Sequence, residues 1–111
     1  LIYRLLFNLA ENAIRYSAPS STVQIGARAE GDRVLLRVRD QGPGIPKQYQ
    51  TSIFQPFFRV DRSRSRAYGG LGLALVWEIA ALHGGSIEVE ESSERGTTML
   101  VILPARAPGS L

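Results

Sequence analysis

Cysteine is absent from this sequence, which excludes disulfide bonds and thiolate metal sites. No uninterrupted apolar run approaches the ~20 residues needed to span a bilayer, and no signal-peptide pattern opens the chain. His83 is the single histidine, so a zinc site built from a histidine pair is excluded as well. Neither sign of charge is in large excess: the net charge of +3 is too small by itself to indicate nucleic-acid binding.

The residues that are present are typical of one soluble globular domain. The chain has 111 residues, of which 44% are hydrophobic and 21% charged, enough to bury a core. The helical pattern already runs through Leu1 with no N-cap before it, so we expect the chain to be a piece of a longer protein. We expect a domain over residues 1–104 and a frayed tail over 105–111.

Apolar periodicity predicts two helices, over 1–16 and from 71 to about 83, where Gly84 and Gly85 end the second. Alternation predicts a hairpin of strands 22–29 and 33–40 around a turn at Gly31-Asp32, and two further strands cover 86–90 and 97–104. A short helix is expected near 47–53. The expected buried stripes are Ile2, Leu6, Leu9 and Ala13, with Leu5 and Tyr16 at the edge, and then Leu71, Leu75, Ile79 and Leu82.

The order of these elements predicts an α+β fold (α/β in the broad sense). Helices and hairpins alternate in blocks, which indicates a two-layer sandwich with the helices packed on one face of a sheet. Val23, Ile25, Ala27 and Ala29 share one face of the first strand. The last strand is apolar almost throughout, so we expect it to be central in the sheet.

A polar stripe runs along the first predicted helix, beside its apolar face. Asn8 and Asn12 are four residues apart, and Arg15 extends the stripe, with Glu11 one turn before it. Two interpretations are open. The amides could cap neighbouring loops, or they could supply oxygen ligands to Mg²⁺ while Arg15 contacts a phosphate. Glu11 could be a base or orienting group, or could simply form an ion pair with Arg15.

Asp40 ends the second strand in phase with Val34, Leu36 and Val38, so the strand directs its carboxylate toward the core. A buried carboxylate must be paired or hydrogen-bonded. It could cap the following turn, or it could accept a hydrogen bond from an exocyclic amine such as that of adenine. The glycines of GPGIP, residues 42–46, let a ligand approach the backbone closely, although many surface turns also contain them.

The segment before the second helix combines glycine with arginine. Gly70 and Gly72 lie at the predicted helix N-terminus, where free N–H groups favour a phosphate, although they could equally form a hinge. Four arginines precede them within eight residues: Arg59, Arg62, Arg64 and Arg66. They could neutralise a triphosphate, remain a solvated loop, or bind RNA through RSRSR. His83 falls in the last turn of that helix, where a structural role at the negative end of the dipole is expected.

Five segments in this order resemble the motifs of one family: NLAENAIRYS, RDQGPGIP, IFQPFFRVDRS, GGLGLALV and ERGTTMLVILP. They are similar to the N box, the first glycine box, the aromatic box and the second and third glycine boxes of the catalytic ATP-binding domain of sensor histidine kinases. That domain belongs to a superfamily shared with type II topoisomerases, mismatch-repair ATPases and chaperone ATPases. The resemblance covers residues 5–104. It implies a Bergerat-type fold with a mixed, largely antiparallel sheet and a mobile lid at about 54–70.

The resemblance also implies roles for single residues. Asn12 is the expected Mg²⁺ ligand, with Asn8 nearby and Arg15 on the phosphates, and this group with Glu11 is the expected catalytic set. Asp40 is expected to bind the adenine amine. The other implied nucleotide contacts are Tyr16, Gly42, Gly44, Ile45, Phe54, Phe58, Arg59, Gly70, Leu71, Gly72, Leu73, Thr97 and Thr98, with Phe57 in the aromatic box and Gly96 in the third glycine box.

The resemblance implies a protein-histidine kinase domain that uses ATP and Mg²⁺. Hydrolytic ATPases of the superfamily resemble one another in a glutamate base where this sequence has Asn8, and an amide cannot take that proton, which favours transfer to a histidine. The implied partners are a dimerisation domain of the same protein and a response regulator, with no nucleic acid or direct membrane contact, in the cytoplasm. Tyr68 replaces the first glycine of the second glycine box, and the strand that normally precedes the first helix is missing. The alternative is therefore a degenerate module that binds nucleotide or partners without phosphotransfer.

Overall fold

The computed structural model describes residues 2–58 and 70–105 and has the predicted two-layer architecture. Two α-helices pack together on one face of a four-stranded sheet. Two single 3₁₀ turns stand in place of the short helix expected near 47–53. The elements are α1 (Ile2–Tyr16), β1 (Gln24–Glu30), β2 (Arg33–Arg39), the 3₁₀ turns Lys47–Tyr49 and Ser52–Phe54, α2 (Gly70–Leu82), β3 (Ser86–Ser93) and β4 (Gly96–Pro104).

The sheet has the strand order β1-β2-β4-β3, and its three ladders are antiparallel. Two-residue turns close both hairpins, at Gly31-Asp32 and at Glu94-Arg95, because Glu30 pairs with Arg33 and Ser93 with Gly96. β4 lies between two neighbours, as its apolar run predicted, and most of its residues are buried. The α+β sandwich inferred from the sequence is confirmed.

One core lies between the helix layer and the sheet. Both predicted stripes need a correction in phase. In α1 the most buried positions are Leu5, Leu9, Ala13 and Tyr16, while Ile2 and Leu6 are only half-buried. In α2 the predicted Leu75 and Leu82 are 39% and 68% exposed. The predicted Ile79 is buried, and so are Leu73, Ala74, Val76 and Ala80, which the predicted stripe did not include.

The strand β1 departs from its prediction because its apolar face is not covered. All seven residues are exposed, and Ile25 is 56% exposed although its alternation suggested a half-buried strand. Ile25 pairs with Val38 and therefore lies on the helix-facing side of the sheet. The helices, however, pack over β2, β3 and β4. An alternating pattern gives the two faces of a strand but does not show that another element covers one of them.

The C-terminus of α2 has the predicted glycine cap. Gly84 has a φ of +76°, its N–H bonds the Ala81 carbonyl, and the Gly85 N–H bonds the Ala80 carbonyl at 2.8 Å. His83 follows the helix directly, and its ring Nδ1 donates to the Ile79 carbonyl oxygen at 2.8 Å. The structural role expected of His83 is therefore observed. No helix within the described ranges combines the length and the apolar character needed to cross a bilayer.

The strand β3 contains a β-bulge that changes which side chains face inward. Val89 pairs with Met99, but Glu91 rather than Glu90 pairs with Thr98. Glu90 is thus an extra residue, and its carboxylate forms two hydrogen bonds, at 2.7 and 2.9 Å, with the guanidinium of Arg37. Arg37 lowers the pKa of Glu90 through these bonds. After the bulge the inward-facing position of β3 is residue 92 instead of 91.

Candidate functional site

Asp40 is the most buried charged residue among the described part of the chain, at 2% exposure. Its Oδ1 accepts hydrogen bonds from the Gly42 N–H at 2.9 Å and the Thr97 N–H at 3.2 Å. Its own N–H donates to the Thr97 carbonyl oxygen at 2.9 Å. Burial raises the pKa of Asp40, and the two N–H donors and nearby Arg39 offset part of that rise. The carboxylate therefore caps its turn and is held in one orientation at the same time.

The raised pKa of Asp40 predicts how stability changes with pH. The folded state binds a proton more tightly than the unfolded chain, whose value is near 3.8. This contribution is fully present below that value and is lost as pH rises through the folded-state pKa. We therefore expect the free energy of unfolding of the wild type, minus that of Asp40→Asn, to fall as pH rises. Urea unfolding of both proteins across a pH series measures this difference. Glu90 titrates in both proteins and cancels, and a difference that rises with pH would contradict the prediction.

Residues 40–46, which follow β2, are called the Asp40 turn. Two glycines let the β3–β4 hairpin lie directly against this turn. A Cβ atom on Gly96, whose φ is +142°, would overlap the carbonyl oxygen of Asp40. A Cβ atom on Gly44, whose φ is +85°, would overlap the carbonyl oxygen of Ser93. Both clashes are with backbone, which cannot rotate away. Glycine at 44 and 96 thus holds the Asp40 turn and the β3–β4 hairpin in contact.

Gly96→Ala should therefore lower the free energy of unfolding by about 2 kcal/mol or more, because a side chain there combines a strained φ with a backbone clash. Gly26→Ala is the matched control, since open space surrounds Gly26 in the exposed strand β1. That control should be neutral or stabilise by up to about 1 kcal/mol. Urea unfolding compares the two. Equal stability of the two variants would show that the β4 backbone does not need its close approach to Asp40.

Gln41 links the Asp40 turn to the end of α1. Its N–H donates to Ser17 Oγ at 3.2 Å, and its side-chain Oε1 accepts from the Thr22 N–H at 2.9 Å. Its carbonyl oxygen accepts from the Ala18 N–H at 3.5 Å. These links hold the residues that directly follow α1, Ser17 and Ala18, against the residue that follows Asp40. Sequence reasoning did not identify Gln41 or Ser17; a glutamine between the acid and the first glycine was the available signal.

The polar stripe of α1 lies partly inside the fold. Asn12 is about nine-tenths buried. The Nδ2 atom of Asn8 is buried and has no hydrogen-bond partner among the described residues, an arrangement that costs about 1–3 kcal/mol unless a ligand supplies an acceptor. Arg15 and Glu11 are both more than half exposed and form an i,i+4 ion pair at 3.4 Å. The ion-pair interpretation of Glu11 is therefore observed, whereas capping of a loop by Asn8 Nδ2 is not.

The two threonines of the third glycine box face opposite sides of the sheet, since consecutive strand residues alternate. Thr97 is fully buried on the Asp40 side, and its Oγ1 lies 2.8 Å from Ser92 Oγ. Thr98 lies on the outer face, where its hydroxyl accepts from Arg39 at 3.1 Å. The expectation that both threonines lie near one pocket is thus corrected, because they lie on opposite faces of the sheet and only Thr97 is on the Asp40 side. Ser92 was not identified from the sequence, because the bulge that turns it inward leaves no clear pattern.

The aromatic segment after the 3₁₀ turns divides into anchored and free rings. Phe54 is buried with its ring centroid 5.3 Å from that of Trp77, and Phe58 lies 5.8 Å from Tyr49. Phe57 has a φ of +64° and is 74% exposed. Two of the three phenylalanines therefore fix the start of the predicted lid. The rest of that lid, with Arg59 and the other arginines, lies outside the described residues.

Comparison with known proteins identifies the family. The model of the family described as histidine kinase-, DNA gyrase B- and HSP90-like ATPases matches residues 1–107. The chain belongs to this ATPase family. Its catalytic-domain homologues are those of sensor histidine kinases, which confirms the resemblance drawn from the five segments.

Individual relatives of this ATPase-family chain are sensor kinases. The alginate biosynthesis sensor protein KinB of Pseudomonas aeruginosa is 45% identical over 93% of this chain and 17% of its own length. The structure of the mycobacterial sensor histidine kinase MprB has a TM-score of 0.81 at 34% identity, covering 94% of this chain and 72% of that one. Full-length ShkA in complex with AMPPNP has a TM-score of 0.81 at 29% identity, covering 98% of this chain and 22% of that one. The chain spans 14–28% of the length of the first curated relatives that it matches.

The second glycine box of this ATPase-family domain opens α2. Gly70 is the first residue of the helix, so the N–H groups of the first turn have no acceptor within the helix itself. Gly72 is half-buried with open space around it, whereas Leu73 is fully buried in the core, and the side chain of Leu71 lies outside the described set. The part of this segment that can contact an anion is therefore the backbone of the first turn. The Leu73 side chain packs in the core instead.

A divalent cation in this ATPase-family site would have few protein ligands. Within residues 2–58 and 70–105, no three histidine, cysteine, aspartate or glutamate side chains cluster as a metal site. Mg²⁺ fits such a site nonetheless, because it usually takes one or two protein oxygens and completes its shell with water and phosphate. The buried amide of Asn12 and the unpartnered Nδ2 of Asn8 are consistent with a polar ligand beside α1.

Proposed function

We propose that this chain is the catalytic domain of a sensor histidine kinase that binds ATP with Mg²⁺. In this proposal it holds the γ-phosphate for transfer to a histidine on a separate dimerisation domain of the same protein, from which the phosphoryl group passes to a response regulator. The observation that carries the proposal is Asp40, a carboxylate at 2% exposure held by two backbone N–H groups beside a glycine-rich turn. The family match and the ShkA complex with AMPPNP support it. We place this domain in the cytoplasm.

At the adenine end, the role of Asp40 is to recognise an amine. Both of its described hydrogen bonds end on Oδ1, which leaves Oδ2 to accept from the exocyclic amine of adenine. Tyr16 is buried in the adjoining end of α1, and Ile45 is buried beyond the turn. These side chains supply apolar surface on which a base can pack. Thr97 fixes the direction of the carboxylate through its N–H.

At the phosphate end, Asn8, Asn12 and Arg15 lie along one stripe of α1, and the first turn of α2 offers backbone N–H groups. Bound Mg²⁺ would neutralise charge on the phosphates, and Asn12 would hold it through its side-chain oxygen. Asn8 Nδ2 would donate its unused hydrogen bond to a phosphate oxygen or to a water molecule. Arg15 would exchange its exposed ion pair with Glu11 for the phosphate. Such a pair is worth only ~0.3–0.5 kcal/mol, so little opposes the exchange.

The chemistry that these side chains support is transfer rather than hydrolysis. An amide at position 8 cannot deprotonate water, so the domain positions ATP and leaves the attack to a nucleophile on another domain. His83 lies outside the five motif segments, and it has a structural role at the end of α2, where its ring Nδ1 donates to the Ile79 carbonyl oxygen. The chain should therefore bind ATP without phosphorylating itself.

Thermal unfolding with and without ATP·Mg²⁺ tests nucleotide binding. A ligand at ~100 times its Kd stabilises the folded state by ~2.7 kcal/mol, so a clear rise in melting temperature is expected. GTP·Mg²⁺ at the same concentration is the control and should produce a much smaller rise, because guanine presents a carbonyl where adenine presents the amine. An unchanged melting temperature with ATP·Mg²⁺ would contradict nucleotide binding.

Phosphotransfer tests the kinase assignment separately from nucleotide binding. The chain is mixed with a dimerisation domain that carries the acceptor histidine, and transfer from radiolabelled ATP is followed. Labelled acceptor is the expected result, with no label on the chain itself. A protein that binds ATP but labels no acceptor would instead support the alternative of a nucleotide-binding or partner-binding module without phosphotransfer.

A further inference from the structure

Ser92 joins three parts of the proposed adenine site through one hydroxyl group. Its Oγ accepts a hydrogen bond from the Ile45 N–H at 2.7 Å and lies 2.8 Å from Thr97 Oγ1. Thr97 in turn donates its N–H to Asp40 Oδ1. Ser92 thus connects the end of the Asp40 turn at Ile45 with the start of β4 at Thr97 and, through Thr97, with the Asp40 carboxylate.

The β-bulge at Glu90 is what turns the Ser92 side chain inward. Ile87 and Val89 face the helices, and strict alternation would next place Glu91 inside and Ser92 outside. The extra residue reverses this phase, so Glu91 pairs with Thr98 on the outer face and Ser92 with Thr97 on the inner face. Bulges commonly redirect a side chain next to a functional site. Here the redirected hydroxyl lies directly beside the two residues that orient the Asp40 turn.

We propose that Ser92 is a positioning residue that sets the purine specificity of the adenine site. This inference rests on the proposed function, because it concerns how the adenine site distinguishes one purine base from another. Ser92 fixes Ile45 at the end of the Asp40 turn and Thr97 in β4, and the Thr97 N–H holds the carboxylate that accepts from the amine. Without the hydroxyl, the Ile45 N–H loses its acceptor and the side chain of Thr97 loses a partner. The carboxylate then samples more orientations, and its preference for a base that carries an amine declines.

Valine and threonine at position 92 separate the hydroxyl from the shape of the side chain, since they differ only in that group. Both are β-branched and suit a strand. Isothermal calorimetry compares ATP with purine riboside 5′-triphosphate, which lacks the amine. We expect Ser92→Val to bind ATP about tenfold more weakly, which corresponds to about 1.4 kcal/mol, and to bind the analogue as the wild type does. Ser92→Thr should restore the preference for ATP.

Ser93→Val is the matched control for general damage to the hairpin. The Ser93 hydroxyl accepts from the Arg95 N–H in the exposed hairpin turn, whereas the Ser93 atom that lies against Gly44 is its backbone carbonyl oxygen, which the substitution keeps. Ser93→Val should lower the free energy of unfolding slightly without changing the affinity for ATP or for the analogue. A double-mutant cycle with Asp40→Asn adds a second readout: if Ser92 acts through Asp40, Ser92→Val should have little effect on ATP affinity once Asp40 is replaced.

Three results would overturn this role for Ser92. They are equal ATP affinity of Ser92→Val and Ser92→Thr, a loss that is the same for ATP and for the analogue, and full additivity with Asp40→Asn. Each of these requires that the wild type bind ATP more tightly than the analogue. A wild type that binds neither nucleotide would instead contradict the proposed function itself and remove the basis of this inference, so the two failures are distinguishable.

Discussion

Asp40→Asn should weaken ATP binding by roughly 100-fold while the fold remains intact. An asparagine in the same rotamer can still accept from Gly42 and Thr97 through its Oδ1. Its Nδ2, however, would then point an N–H toward the amine of adenine, so that two donors face each other in a buried site. The loss combines a missing charge-assisted hydrogen bond with an unsatisfied donor on each side.

Calorimetric titration with ATP, ADP and purine riboside 5′-triphosphate measures this effect. The wild type should prefer the two adenine nucleotides, and Asp40→Asn should bind all three with similar weak affinity. Asp32→Asn is the matched control, because Asp32 is exposed in the turn between β1 and β2. The unfolding midpoint of Asp40→Asn should equal or exceed that of the wild type near neutral pH, since burial of its charge no longer opposes folding. Full ATP affinity in Asp40→Asn would reduce the carboxylate to a turn cap.

Asn12→Ala should reduce Mg²⁺-dependent phosphotransfer by roughly 100-fold or more, because a correctly held cation contributes several kcal/mol to transfer of a charged group. Asn12 is the buried amide on the stripe of α1 that also carries Asn8 and Arg15. Its loss leaves a cavity the size of an amide and removes the protein oxygen proposed to bind the metal. Binding of ATP without Mg²⁺ should change little, since the adenine end of the site is untouched.

The measurement is the ATP affinity with and without Mg²⁺, together with the rate at which acceptor histidine is labelled. In the wild type Mg²⁺ should tighten ATP binding, and in Asn12→Ala this dependence should largely disappear. Asn12→Asp is the matched variant, since it keeps an oxygen at the same place and should retain Mg²⁺ dependence. An alanine variant that keeps both its Mg²⁺ dependence and its labelling rate would assign Asn12 to packing alone.

The fold was predictable wherever one face of an element differs clearly from the other. Alternation in 33–40, the Gly31-Asp32 turn and the glycines after α2 each have a local cause, and each prediction is confirmed. The helix α2 was placed correctly, but its buried face was not. Its sequence, GLGLALVWEIAAL, is apolar on nearly every side, so the spacing of apolar residues does not indicate which face of the helix is buried. Only packing against α1 and the sheet selects Val76 and Ile79 over Leu75.

The candidate site divides in the same way. Asp40 could be predicted because strand phase alone directs it inward, and the amides of α1 because helical spacing aligns them. The separation of Thr97 from Thr98 also follows from alternation, once the phase of β4 is known. Ser92 and Gln41 could not be predicted, because their roles depend on contacts between segments far apart in sequence. In the case of Ser92 they also depend on a bulge that no local pattern marks.

The bulge at Glu90 has a consequence for the evolution and engineering of chain length in this hairpin. Side chains on a strand repeat with a period of two, so Val89 and Ser92, three residues apart, can both face inward only because one residue between them forms the bulge. Loss of that one residue would remove the bulge and leave Ser92 inward by regular alternation, in the same register with β4. Loss of both residues between Val89 and Ser92 would turn the Ser92 side chain outward, so this short segment tolerates a deletion of one residue better than a deletion of two.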